Sequence, residues 1–155
     1  MTYQIIYSSE SSTPMQLEEL DELLEHARSS NSGKGITGAL VYVDGIFLQI
    51  LEGERHSLQE LMKKIYDDVR HETVTVLKSG EIPFAAFTDW KMAYISATTE
   101  QVARWAGLRG AAALPEILND MRQDQHKAKQ VAASILSVLV AEQTAQTRPS
   151  ERGAA

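Results

Sequence analysis

Two apolar runs, Ile36 to Val43 and Ile46 to Leu51, flank the dipeptide Asp44-Gly45. A two-residue loop whose residues both tolerate positive φ specifies a tight antiparallel hairpin of type I′. The rest of the chain must be arranged around that hairpin. Upstream, Tyr3 to Ser9 (YQIIYSS) reads as a strand. Thr13 is then predicted as an N-cap, with Pro14 at the first helical position and Gln16 completing a T-x-x-Q capping box. Leu17, Leu20, Leu23, Leu24 and Ala27 recur at helical spacing to about Ser30, and Asn31-Ser32-Gly33-Lys34-Gly35 is turn chemistry. Downstream, Gly53 ends the second hairpin strand. A second helix places Leu58, Leu61, Met62, Ile65 and Val69 on one face, with a Ser57-x-x-Glu60 capping box near its start. Thr73 to Lys78 alternates as a fourth strand, and Trp90 to Ile95 is a shorter fifth.

The order β-α-β-β-α-β is ferredoxin-like, and the fifth strand enlarges the sheet. The predicted fold is α+β, with two helices on one sheet face and further helices at the C-terminus. Of these, Thr98-x-x-Gln101 caps a short helix through Val102, Trp105 and Leu108, ended by Gly110. From Pro115 a longer helix carries Leu114, Ile117, Leu118, Met121, Ala128, Val131, Ile135, Val138 and Leu139, and in the polar stretch Arg122 to Lys127 it is expected to bend or to leave the domain surface. The expected organisation is a domain over residues 1–97, a helical cap and output segment over 98–145, and a disordered tail over 146–155.

Composition removes several classes of function. Fifteen Lys and Arg against twenty-one Asp and Glu give a net charge of −6, which argues against binding a nucleic-acid backbone. No apolar run is long enough to span a bilayer, and Met1-Thr2-Tyr3-Gln4 lacks the basic start of a secretory signal, so a cytoplasmic location is expected. Cysteine is absent, which excludes disulfides, thiolate nucleophiles and Cys-based metal sites. The four histidines (His26, His56, His71 and His126) have no metal-ligand spacing, and neither G-x-S-x-G nor a P-loop occurs. The loop after the first strand, Ser8-Ser9-Glu10, has no arginine to hold a phosphate. The expectation is a protein that is not an enzyme and holds no metal.

Three polar residues stand out instead. Gln49 interrupts the apolar strand Ile46-Phe47-Leu48-Gln49-Ile50-Leu51, where alternation gives Phe47, Gln49 and Leu51 one face. Tyr7 lies near the end of the first strand, and Asn31 follows the first helix. A Gln amide and a Tyr hydroxyl each donate and accept, which suits the imide-like edge of a planar heterocycle. A core Gln satisfied by backbone, with Tyr7 as ordinary packing, is the alternative that spacing alone leaves open.

Tyr7 in YQIIYSS, Asn31 ahead of Gly35-Ile36-Thr37-Gly38, Gln49 in FLQILEG, Asp68-Val69-Arg70-His71 and Trp90-Lys91-Met92 together resemble the signature of the BLUF (blue light using flavin) family. One departure is Phe84-Ala85-Ala86-Phe87, where the family usually has a basic residue before F-x-x-W-x-M.

The resemblance implies noncovalently bound flavin, FAD with FMN or riboflavin as alternatives, held by Tyr7, Leu23, Ser30, Asn31, Phe47, Gln49, Lys64, Ile65, Asp68, Arg70 and His71. Asn31 and Gln49 would meet the ring edge. Leu23 and Ile65 would pack its two faces, and Lys64 and Asp68 would meet the C2 side and ribityl chain. Arg70 and His71 would lie further out, towards the ribityl or phosphate. It further implies that excited flavin takes an electron and then a proton from Tyr7, and that Gln49 emerges rotated or tautomerised. Trp90 and Met92 are then the expected route from Gln49, each on the fifth strand, to the outer sheet face. Output is expected in trans, through the C-terminal helices of an oligomer, to a partner such as a cyclic-nucleotide or cyclic-di-GMP enzyme or a transcriptional regulator. The rivals are a ferredoxin-like regulatory module binding a colourless metabolite and a structural oligomerisation module.

Overall fold

The computed structural model describes residues 2–11, 16–68, 71–108 and 113–153. Five strands form one sheet: β1 (Thr2–Ser11), β2 (Thr37–Val43), β3 (Ile46–Gly53), β4 (His71–Ile82) and β5 (Ala93–Ser96). Their order across the sheet is β4-β1-β3-β2-β5. The first four pair antiparallel, in the ferredoxin-like arrangement, and β5 adds to β2 in parallel. Asp44 and Gly45 close the β2–β3 hairpin with φ of 48° and 78°, the two positive values a type I′ turn requires.

Helices α1 (Leu17–Ser32) and α2 (Arg55–Asp67) cover the inner face of this sheet. Leu20, Leu23 and Leu24 of α1 and Leu58, Met62 and Ile65 of α2 bury against Ile5, Tyr7, Leu40, Phe47 and Leu51. The outer face carries Ile6, Ala39, Val41, Leu48 and Ile50, and a second layer covers it: α3 (Thr99–Trp105), α4 (Leu114–Gln123) and α5 (Gln125–Gly153). The apolar stripe of the C-terminal region thus packs on the sheet, through Ile117, Met121, Ala128, Val131 and Ile135. Residues 1–97 alone would leave that outer face open, so the C-terminal segment is part of the core as well as a cap.

Several boundaries differ from the expectation. Thr13 and Pro14 lie outside the described residues, and Gln16 is itself the N-cap of α1, reciprocally bonded with Glu19. Helix α2 begins at Arg55, so Ser57 lies within its first turn and Glu60 pairs with His56 at 3.3 Å. It ends at Asp67, and Val69 lies outside the described residues. Thr98 caps α3 as expected, but the helix stops at Trp105, with Gly107 at φ 75°; Gly110 lies outside the described residues. The bend falls at Asp124, whose extended backbone separates α4 from α5. The backbone of residues 146–153, expected as a tail, is helical. The shortest strand, β5, starts at Ala93, so Trp90 and Met92 precede it in the loop.

Candidate functional site

Strand register sets the site. Tyr7 of β1 lies directly opposite Gln49 of β3, which lies opposite Leu40 of β2. All three point to the inner face, because side chains alternate along a strand. The Tyr7 hydroxyl donates to Gln49 Oε1. The Gln49 amide Nε2 in turn donates to the sulfur of Met92 at 3.3 Å. Met92 is 1% exposed, and its backbone carbonyl accepts from Arg28 Nε of α1 at 3.0 Å. Tyr7, Gln49 and Met92 are therefore one bonded row across the middle of the sheet.

Above this row lies a solvent-open pocket lined by residues of α1, α2 and the sheet. From α1 it is lined by Leu23, His26, Ala27, Ser30 and Asn31. From α2 come Leu61, Lys64, Ile65 and, just past the helix end, Asp68. Leu40, Tyr7, Gln49 and Met92 complete it from the sheet side. Each helix contributes by its period, since residues three, four and seven apart share a face.

The electrostatics of the cavity are unusual at three places. Asn31 is 1% exposed, and among the described residues neither its Nδ2 nor its Oδ1 has a hydrogen-bond partner. Leaving such an amide unpaired costs roughly 1–3 kcal/mol, so the site is built for a group that both donates and accepts there. Burial, with the nearby charge of Asp68 adding to it, pushes the Tyr7 phenol well above its ordinary pKa, so this hydroxyl stays protonated. Lys34, in the turn after α1, is pushed down by the hydrogen bond and charge of the neighbouring Lys64 amine. The two amines thus lie close together, and the charge of one disfavours the charge of the other.

Most residues expected to meet a ligand do converge here: Tyr7, Leu23, Ser30, Asn31, Gln49, Lys64, Ile65 and Asp68. Phe47 does not line the cavity. It is fully buried beneath it, its ring 5.1 Å from that of Tyr42. Arg70 and the side chain of His71 lie outside the described residues. Trp90 is turned away from Gln49 and packs with the outer-face cluster, its ring 6.4 Å from that of Phe87. Of the two candidates for the place beside Gln49, Met92 occupies it. Of the lining residues, His26, Ala27, Leu40 and Leu61 lie outside the expected set, although helical spacing from Leu23 and Lys64 points to His26, Ala27 and Leu61.

Comparison with known proteins bears on the same region. The family model described as sensors of blue light using FAD matches residues 2–93. The beta subunit of photoactivated adenylate cyclase from Euglena longa is 33% identical over 106 residues, 68% of this chain but only 12% of that protein. The photo-activated state of BlsA superposes with a TM-score of 0.63 at 28% identity, covering 79% of this chain and 95% of the other. BlrB, a BLUF protein in its dark state, shares the fold over 88% of this chain and 96% of its own, with a TM-score of 0.70 and 22% identity. The matched segment contains the whole Tyr7–Gln49–Met92 row and the cavity above it, and the chain belongs to the BLUF family of blue-light sensors that use flavin.

Proposed function

We propose that this chain senses blue light through FAD held in the cavity between α1 and α2, with Tyr7 and Gln49 as its photochemical pair. The unpartnered, buried amide of Asn31 carries the reading, because a ligand with an adjacent donor and acceptor would satisfy it. Asn31 and Gln49 would hold the polar edge of the ring, while Leu23 and Ile65 would flank it from the two helices. Lys64 would meet the C2 side of the ring and the ribityl chain. Asp68 and Ser30 would meet the ribityl chain.

When bound, the flavin supplies blue absorption and an excited state that accepts an electron. Tyr7 would give up that electron and then the proton it donates to Gln49 Oε1, and their hydrogen bond supports this. Gln49 is the element that changes. With its amide turned, the Oε1 and Nε2 positions exchange, so it loses its bond to the Met92 sulfur and presents a different group to the ring edge. Output would leave through the loop carrying Met92 and Trp90 to the face covered by α4 and α5. From there it would pass to an effector in trans, of the class that cyclase-linked relatives carry in one chain.

An absorption spectrum of the purified protein tests this. Bound oxidised flavin and a small reversible red shift under blue light are expected, with the shift abolished and flavin retained in Tyr7→Phe and in Gln49→Leu. A colourless protein that takes up no added flavin, or a Gln49→Leu protein that cycles normally, would sink the reading.

A further inference from the structure

Glu52, at the end of β3, is completely buried although it carries a carboxylate. Its Oε1 accepts from the backbone N–H of Ala86 at 2.7 Å and of Phe87 at 2.9 Å. Its Oε2 accepts from Nε2 of Gln4 at 2.9 Å, and Gln4 Oε1 accepts from Nζ of Lys78 at 2.8 Å. Gln4 and Lys78 are 7% and 6% exposed. Burial, followed by the charge of Lys129 on α5, pushes the pKa of Lys78 down, so the far end of this relay faces α5. Removing a carboxylate and an ammonium from water is costly unless both are bonded, and an apolar pair would fill the same space with less difficulty. What the carboxylate adds is a fixed grip on two successive backbone N–H groups.

Those N–H groups belong to the loop that reaches the pocket. The Phe87 carbonyl accepts from Trp90 N–H at 3.0 Å, and the Trp90 carbonyl accepts from Gly38 N–H at 3.0 Å. Two residues on, Met92 accepts from Gln49. Glu52 and Gln49 are three apart on one strand and so point to opposite faces of the sheet. The loop over residues 83–92 wraps from one to the other, bonded at both ends.

We propose that Glu52 is a positioning residue for the light switch. Its clamp on Ala86 and Phe87 sets the loop so that Met92 meets Gln49, and it carries a change at Gln49 to the sheet face under α5. The transmission half of this statement rests on the proposed role of Gln49; the positioning half does not.

Methyl-labelled methionine NMR separates the two. Met62 and Met121 sit in the inner and outer cores and report on folding, while Met92 reports on the loop. In Glu52→Leu the Met92 resonance should move or split in darkness, with flavin and without it, while Met62 and Met121 stay in place. Thermal return of the lit state should quicken about tenfold, the effect of losing a hydrogen bond to a charged group. Glu52→Gln keeps an acceptor for both N–H groups and should show a smaller change in both measurements. A Met92 resonance unmoved in Glu52→Leu overturns the proposal. If Met62 and Met121 move as well, Glu52→Gln decides, and an unmoved Met92 there overturns it. A native protein without flavin would count against the pocket reading and leave the Met92 measurement standing.

Discussion

Asn31 and Tyr7 show how single buried polar groups report on what a site is for. An amide with both polar atoms buried and unpaired is a debt that folding alone does not settle. Asn31→Ala removes it, so the flavin-free protein should be no less stable than the native one. The same change should weaken flavin retention about fivefold or more, the loss of one or two bonds of about 1 kcal/mol each. Occupancy after extensive dialysis measures this, and equal retention would remove Asn31 from the ligand set. Tyr7 makes a second prediction, in pH. Its folded-state pKa is raised above the unfolded value of about 10, so the folded form holds the proton more tightly. The stability this contributes is fully present below about pH 10 and is lost as pH rises above it. Native protein should therefore lose stability above pH 10 more steeply than Tyr7→Phe does, as denaturant midpoints across that range would reveal.

At the scale of elements, Gly38 explains why the second strand begins as it does. A Cβ added there would lie 1.9 Å from the carbonyl oxygen of Ile50, so β2 and β3 approach too closely for any side chain. Gly38 also donates its N–H to the carbonyl of Trp90, tying β2 to the loop over residues 83–92. Gly38→Ala should destabilise by about 3 kcal/mol, at the upper end of overpacking effects, and should disturb Met92 as well. A thermal midpoint within a degree of the native value would contradict this. The same strands show what was legible beforehand. The hairpin, both inner helices and the α3 cap were readable because turn dipeptides, capping boxes and apolar period act within a few residues. The fifth strand was drawn too early because aromatic and β-branched residues look alike in a strand and in an extended loop. Only pairing with β2, some fifty residues upstream, decides where β5 starts. Tyr7, Asn31 and Gln49 were visible as polar residues in apolar surroundings. Glu52 was not, because a carboxylate at a strand end reads as solvated until the loop over residues 83–92 folds onto it.

For the whole molecule, the sheet separates two clusters, and in the proposed function the inner one is the photochemical face and the outer one the output face. The inner cluster holds Tyr7, Gln49 and Met92, while the outer cluster holds Trp90, Phe87 and the buried sides of α4 and α5. Side chains of adjacent residues on β3 point into different clusters, so a change at Gln49 meets the outer layer through backbone and loop rather than through direct contact. The C-terminal helices are the part most able to respond. They bury Ile117, Met121, Val131 and Ile135 on the sheet, but Val140 is already 46% exposed, so α5 leaves the core near Leu139. A helix docked by one apolar stripe, with residues 140–143 exposed, sits low on the scale of local stability. A change of about 1 kcal/mol in how the loop presses on that stripe would alter its opening equilibrium about fivefold. Hydrogen exchange of residues 114–139 should therefore differ between dark and lit protein by a factor of that order, with the strands β1 and β3 unchanged. The Glu52→Leu protein should show a smaller light-dependent difference, because its loop no longer grips the outer face. Identical exchange in the two states of the native protein would mean that the signal leaves by the α1–α2 side, and that α4 and α5 serve only to close the core.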